Sequence, residues 1–271
     1  MDLVTVEEVV PAERAALDGW RDGDAWLAGG TWLFSEPQPQ LRRLVDLTAF
    51  DWPALTVHDD GLEVAATCTL AQLARWPGRE DWPAAGLIGD CCRALLGSFK
   101  VWNAATVGGN LCLALPAGPM TSLAVALDGR LTLWAPGGES RVVRALDFVL
   151  GPSRTALGPG ELLRSVLLPA PALRAVTAFR QLSLSPLGRS AAVVIGRRSP
   201  SESELVITLT ASVPRPVQLR FPVGPSPEEL GEALDAAQLG YHDDVHGDPA
   251  WREHVTRMFA EEVRAQLQED G

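Results

Sequence analysis

Cysteine is scarce in this sequence, with four residues in 271, and none of them forms a Cys-x-x-Cys pair. Cys91 and Cys92 are neighbours on a predicted helix, where successive side chains diverge. We expect all four thiols to be reduced and mostly buried, with no iron–sulfur cluster in this chain. His242 and His246 are four residues apart, but Pro249 close by indicates a loop, so we also expect no metal site.

Long apolar runs and an excess of positive charge are also missing. No run approaches the roughly 20 apolar residues of a membrane helix, and the first ten residues lack the regions of a secretory signal. With the reduced cysteines, this favours a cytoplasmic protein. The net charge of −11 argues against a surface that follows nucleic-acid phosphates. The glycine-rich signatures G-x-G-x-x-G and G-x-x-x-x-G-K-[ST] are absent.

What the sequence does contain is a succession of short strands and helices. In the first part, apolar patterns predict strands at 44–47, 54–57, 62–66, 131–134 and 141–143, and helices at 69–76, 83–96 and 121–127. The later part predicts closely spaced strands at 163–168, 175–182, 190–197, 204–213 and 217–221, then helices at 228–237 and 249–268. Strands followed by helices indicate an α+β fold, which we divide into domains 1–170 and 171–271.

Two Gly-Gly pairs are the main chemical signal. They lie in "AWLAGGTWL", residues 25–33, and "ATVGGNLC", residues 105–112, each read as a turn after a strand. Glycine permits positive φ and close approach of a ligand to the backbone, and successive amides can hold an anion. Two such turns could hold a pyrophosphate from both sides. Gly-Gly is also common in ordinary tight turns, so the pairs alone leave both interpretations open.

The wider context of these pairs resembles a known family. The segments, in order, are "LAGGTWL", "LVDL", "VWNAATVGGNLCLALPAG", "FVLGPSRTALGPGELLRSVLLP" and "HDDVHGDPAWREHVTRMFAEEVRAQL". Together they are similar to the FAD-binding (medium) subunit of the xanthine dehydrogenase and carbon monoxide dehydrogenase family of molybdenum hydroxylases. The resemblance covers nearly the whole chain.

The resemblance implies a fold, a cofactor and partners. It implies an FAD-binding domain of two α+β subdomains, then a small domain of three or four antiparallel strands with two helices. It also implies an oxidoreductase flavoprotein with noncovalent FAD. This FAD would take electrons from two-iron two-sulfur clusters on a small subunit, fed by a molybdopterin-containing large subunit, and pass them to an external acceptor. The molybdopterin and the clusters are expected only on those partners, and no catalytic residue is expected in this chain.

Site residues follow from the same resemblance. The first glycine loop is Leu27, Ala28, Gly29, Gly30, Thr31 and Trp32, and the second glycine loop is Thr106, Val107, Gly108, Gly109 and Asn110. Both are expected to bind the FAD pyrophosphate. Leu163 is expected to pack on the flavin, and Arg180 stands where the family usually has a basic residue near the cofactor.

The sequence also departs from the family pattern. Pro119 replaces a usual Asp, Trp102 a usual Arg, and Trp32 a usual polar residue, while Val64-Ala65-Ala66 replaces Ile-Gly-Ala. Pro119, Trp102 and Trp32 favour an alternative, a scaffold subunit of the same complex that lacks FAD. A free-standing flavin oxidoreductase is a further alternative, although it would need a catalytic constellation that the sequence does not show. The organic substrate, the final electron acceptor and the oligomeric state are not encoded in any motif of this chain.

Overall fold

A parallel three-stranded sheet begins the fold in this computed structural model, which describes residues 3–199 and 204–269. Its strands are β1 (Glu8–Pro11), β2 (Asp24–Leu27) and β3 (Arg43–Asp46), in the order β1-β3-β2. Because the strands are parallel, their carboxyl ends meet at one edge of the sheet. The first glycine loop leaves β2 at this edge, and a 3₁₀ turn at Leu47–Phe50 leaves β3 beside it.

A five-stranded antiparallel sheet forms the second layer. Its strands are β4 (Leu55–His58), β5 (Gly61–Ala65), β6 (Arg130–Trp134), β7 (Ser140–Arg144) and β10 (Leu162–Pro169). A separate hairpin, β8 (Val149–Gly151) and β9 (Arg154–Thr155), lies between β7 and β10 in the chain. The order in the sheet is β4-β5-β10-β6-β7, so β10 is central. A central strand is covered on both faces, and β10 is accordingly buried along most of its length.

Seven helices lie in the same part of the chain. They are α1 (Leu70–Ala74), α2 (Ala85–Ala94), α3 (Phe99–Ala104), α4 (Val107–Leu113), α5 (Pro119–Ala126), α6 (Ala145–Phe148) and α7 (Ala170–Leu173). Of these, α4, α6 and α7 pack directly on the five-stranded sheet. α1 begins with a capping box, in which the side chains of Thr69 and Gln72 each accept a hydrogen bond from the other's backbone N–H. α5 is buried on all sides, and its residues are apolar apart from Thr121 and Ser122.

The second glycine loop does not follow a strand, so that prediction is wrong. Two short helices, α3 and α4, occupy this part of the chain. Ser98 caps α3 by accepting a hydrogen bond from the Val101 N–H, and Thr106 caps α4 by accepting one from the Gly109 N–H. The run at residues 105–107 fits a strand, but Ser98 and Thr106 are residue types that favour the N-cap of a helix.

The last part of the chain is a four-stranded antiparallel sheet with two helices, which confirms the predicted α+β fold. It consists of β11 (Val176–Leu182), β12 (Ala192–Arg198), β13 (Leu205–Thr210), β14 (Val217–Phe221), α8 (Pro227–Ala236) and α9 (Pro249–Glu269). α9 packs on one face of the sheet through an apolar stripe that includes Val255, Phe259 and Val263.

The opposite face of this sheet packs on α5 and fixes the two parts of the chain together. The hydroxyls of Ser122 and Thr210 share a buried hydrogen bond of 2.6 Å. Asp128, just beyond α5, pairs with Arg197 of β12 and Arg220 of β14. Buried polar contacts of this kind fix one arrangement, because breaking them would leave polar atoms without partners.

The cysteines and the helix lengths can be compared with what the composition predicted. Cys68, Cys91 and Cys92 are buried and Cys112 is half-buried, all as free thiols, as predicted. Burial raises the pKa of the Cys68 thiol to about 12, so it stays protonated at neutral pH. Within residues 3–199 and 204–269, no helix has the length and apolar character needed to cross a membrane.

Candidate cofactor-binding site

A cleft of about 310 Å³ lies between the carboxyl edge of the parallel sheet and the second layer. Ala28 of the first glycine loop lines one side. Gly108 and Gly109, in the first turn of α4, and Leu163 of the central strand β10 line the other. The lining residues are predominantly apolar, and none of them carries a charge. The cleft therefore brings together Ala28 of the first glycine loop, two glycines of the second and the predicted flavin contact, although they are far apart in sequence. The other predicted loop residues are not among those that line it.

The first glycine loop needs its glycines for two different reasons. A Cβ on Gly29 would lie 1.6 Å from the carbonyl oxygen of Ala104, so the loop passes directly against the end of α3. Gly30 has φ of +67°, in the left-handed region that L side chains rarely adopt. The loop then turns back, because the Phe34 N–H donates to the Gly30 carbonyl at 2.9 Å.

Backbone donors are left open in this loop. The N–H groups of Gly29, Gly30 and Thr31 make no hydrogen bond to any residue within the described ranges. Thr31 is exposed, and the two glycines are half-buried. Successive N–H groups around a left-handed glycine form a concave site that suits an anion. The first glycine loop thus has the donors that a pyrophosphate requires.

In the second glycine loop, by contrast, the backbone N–H groups of residues 107–110 are hydrogen-bonded within the chain. The Val107 N–H donates to Cys68 and the Gly108 N–H to Ala66, each at 2.9 Å. The next two N–H groups donate to the side chain and carbonyl of Thr106, each at 3.0 Å. These bonds attach α4 to the end of β5.

Gly108 is required by packing rather than by its backbone angles. It lies inside α4, and a Cβ there would lie 2.5 Å from the Cβ of Ala66. Asn110 serves the fold as well, since its Oδ1 accepts a 3.0 Å bond from the Met120 N–H at the start of α5. Pro119 is the first residue of α5 and is buried, a position where its missing N–H costs nothing.

Arg180 is placed away from the cleft. Its side chain leaves β11 on the face that α9 covers, where Nε donates to Glu262 at 2.7 Å and a terminal nitrogen donates to Gln266 at 3.1 Å. Side chains alternate across a strand, so a basic residue at this position cannot face both α9 and the cofactor domain. The structure therefore does not bring Arg180 together with the other predicted residues.

Two tryptophans that the sequence analysis did not select also line the cleft. The rings of Trp20 and Trp26 stack with centroids 4.4 Å apart. Trp26 lies on β2, two residues before Ala28, so the alternation of a strand would have placed both on the same side. This alternation is the sequence signal from which Trp26 could have been predicted as a cleft residue. Trp20 precedes β2 in a loop, where no sequence pattern points to the cleft.

A comparison with known families identifies the domain that this cleft belongs to. The profile described as "FAD binding domain in molybdopterin dehydrogenase" matches residues 5–171. The chain belongs to this family. The resemblance inferred from the glycine loops is therefore confirmed, and FAD is the cofactor that the family binds. No curated protein sequence gives a significant match to the chain.

Solved structures show that this fold extends beyond the FAD-binding domain. A chain of quinoline 2-oxidoreductase from Pseudomonas putida 86 is 22% identical, with a TM-score of 0.82 over 100% of this chain and 99% of that one. A chain of carbon monoxide dehydrogenase from Oligotropha carboxidovorans is also 22% identical, with a TM-score of 0.80 over 98% and 99%. A third, from the carbon monoxide dehydrogenase of Hydrogenophaga pseudoflava, is 21% identical, with a TM-score of 0.82 over 97% of each chain. At these identities the similarity establishes the shared fold.

Proposed function

We propose that this chain is the FAD-binding electron-transfer subunit of a molybdenum hydroxylase-like complex. The observation that carries the proposal is the cleft itself. In a member of an FAD-binding family, Ala28 lines this cleft opposite an apolar wall formed by α4 and β10, and the open N–H donors of residues 29–31 follow Ala28 directly in the chain. A dinucleotide cofactor requires both kinds of surface, because its pyrophosphate is anionic and its ring system is flat and apolar.

In this proposal, the residues in and next to the cleft bind different parts of FAD. Gly29, Gly30 and Thr31 would hold the pyrophosphate through backbone N–H groups, flanked by Leu27 and Trp32. The acidic chain makes such local donors necessary, since its net charge of −11 repels an anion. Ala28, Gly108, Gly109 and Leu163 would line the flavin, and Thr106, Val107 and Asn110 would hold α4 in place. Arg180 is left out of this assignment because its guanidinium is bonded to α9.

The chemistry would come from the cofactor, and the protein would bind and shield it. FAD, when bound, supplies reversible transfer of one or two electrons. Cys112 is the titratable side chain in the cleft lining, and burial raises the pKa of its thiol to about 12. It is therefore neutral at physiological pH and does not offer a thiolate. A cleft of this kind suits electron transfer to and from a flavin, for which no acid or base from the chain is required.

Partners follow from the structural neighbours. These are oxidoreductases, and the name of one refers to the Mo-pyranopterin moiety of a molybdenum cofactor. We propose that this chain assembles with an iron–sulfur small subunit and a molybdopterin large subunit. Electrons would pass from the clusters to FAD and then to an external acceptor. The final acceptor and the oxidised substrate would depend on those partners.

The test is substrate-driven bleaching of the flavin absorbance under anaerobic conditions. The three subunits would be co-expressed, and the purified complex mixed with the substrate of its large subunit. We expect rapid bleaching in the complex and none in the isolated chain, which should bind FAD but remain inert. A colourless complex that still oxidises substrate with an artificial acceptor would instead support a scaffold without FAD. Bleaching by substrate in the isolated chain would indicate a self-sufficient flavoenzyme.

A further inference from the structure

The stacked tryptophans are a feature that the proposed function has not used. Trp20 and Trp26 are both half-buried, and their rings lie 30° from parallel with centroids 4.4 Å apart. Both line the cleft that also contains Leu163 and the glycines of α4. If these rings served only to pack the core, they would be fully buried. Their partial exposure to an apolar cleft therefore suggests that they contact a ligand there.

Contacts behind the rings fix the pair in place. The indole N–H of Trp26 donates to the Glu161 carbonyl at 3.0 Å, so its one polar group is satisfied. The Glu161 carboxylate is itself held by Arg141 at 2.7 and 2.8 Å. Trp20 lies against Gly160, where φ is +72° and a Cβ would lie 3.0 Å from the ring. The pair is therefore held rigidly by residues 158–161, just before β10.

The pair differs from the other aromatic clusters in its charge environment. Arg164 lies 4.4 Å from the ring of Trp52, and Arg79 lies 4.5 Å from the ring of Trp82. Within residues 3–199 and 204–269, no guanidinium lies over the rings of the cleft pair. The negative faces of these indoles are therefore not engaged by a cation. An electron-rich surface of this kind suits an electron-poor planar ring.

We propose that Trp20 and Trp26 form an aromatic wall that contacts the isoalloxazine ring of FAD and tunes its redox potential. The proposal rests on the proposed function and assigns a binding and tuning role to this pair. The oxidised isoalloxazine is electron-poor, and the reduced ring is electron-rich. Electron-rich indoles therefore bind the oxidised form more tightly, which lowers the midpoint potential. For a two-electron couple, each tenfold ratio of the two affinities corresponds to about 30 mV.

The experiment uses the purified full chain reconstituted with FAD. Trp20→Leu is compared with the conservative Trp20→Phe and with Trp76→Leu as a matched control. Trp76 belongs to another tryptophan pair, with centroids 6.0 Å apart, which does not line the cleft. Three quantities are measured for each protein: the Kd for FAD, the fluorescence yield of the bound flavin, and its midpoint potential.

We expect Trp20→Leu to weaken FAD binding by about two- to tenfold, the range of one aromatic contact. The bound flavin should also fluoresce more strongly, because a contacting indole quenches its emission, and the midpoint potential should rise. Trp20→Phe should keep most of the affinity. Equal losses in Trp20→Leu and Trp76→Leu would overturn the proposal in favour of a general effect on stability.

Failure of the inference is distinguishable from failure of the proposed function. If the wild-type chain binds FAD stoichiometrically, and Trp20→Leu changes neither the emission nor the potential, the aromatic wall is refuted and the flavin subunit stands. If the wild-type chain does not bind FAD at all, both are refuted.

Discussion

Replacement of Gly29 by Ala gives a severe and specific test of the site. The added Cβ would lie 1.6 Å from the carbonyl oxygen of Ala104 and 2.5 Å from its carbonyl carbon. Both obstacles are backbone atoms, so no side-chain rotation relieves the clash. Overpacking costs typically about 1–3 kcal/mol, and we expect a value near the top of this range. For a chain of this size that corresponds to a Tm lower by roughly 6–12 °C.

The same change should affect FAD binding. Relief of the clash requires the first glycine loop to move away from Ala104, which displaces the open N–H groups of Gly29 and Gly30. One hydrogen bond to a charged group contributes about 1.5–3 kcal/mol, so its loss weakens FAD binding roughly ten- to hundredfold. Calorimetry of the apo chain and an FAD titration measure the two effects separately.

Gly86→Ala is the matched control, because no atom lies within 4 Å of the added Cβ and the residue is in α2. It should leave FAD affinity unchanged and stabilise the chain by about 0.4–1 kcal/mol. If Gly29→Ala had the Tm and the FAD affinity of this control, the contact between the first glycine loop and α3 would be refuted. So would the assignment of the loop to the pyrophosphate.

Three further predictions concern charged residues. Arg180→Ala should change the Kd for FAD less than about twofold, since its guanidinium pairs with Glu262 instead, and a larger loss in an FAD titration would place it at the cofactor. Asp128→Asn should destabilise the chain by about 1–2 kcal/mol in denaturant unfolding, because two arginines lose a charged partner. Burial alone would raise the pKa of Asp24, but bonds from Arg43 hold it below its usual value. Its contribution is therefore present above the unfolded pKa of about 3.9 and is lost as pH falls through the lower folded pKa. Asp24→Asn should be less stable than wild type at neutral pH by about 2 kcal/mol, and the denaturant midpoints of the two proteins should draw together as pH is lowered below the unfolded pKa.

Much of the fold could be predicted from local patterns. The strands of the last sheet have apolar runs bounded by turn residues, and α9 has a regular apolar stripe. The helix predicted at 69–76 is present as α1, Leu70–Ala74, with Thr69 as its N-cap. Each of these signals lies within one element, where residue spacing alone determines which side chains face the core.

The second glycine loop could not be predicted correctly in the same way. The run at residues 105–107 fits a strand as well as a helix, and the outcome depends on whether Ser98 and Thr106 act as N-caps. The position of Arg180 depends on which face of β11 meets α9. The packing of β11 on α9 brings together residues more than 80 positions apart, and the alternation of side chains within β11 does not show which of its faces meets the helix.

The two glycine pairs show how the same letters serve different physical needs. In the first pair, Gly30 adopts a left-handed conformation, and the surrounding N–H groups stay open to a ligand. In the second, Gly108 allows α4 to lie against Ala66, and the N–H groups are used within the protein. The cleft lining carries no charged side chain, so in the proposed assignment the first loop's amides would hold the pyrophosphate and apolar contact would hold the flavin. In this proposal, backbone amides would hold the anionic part of the cofactor in a chain of net charge −11, and Arg180, which is bonded to Glu262 of α9, would not take part.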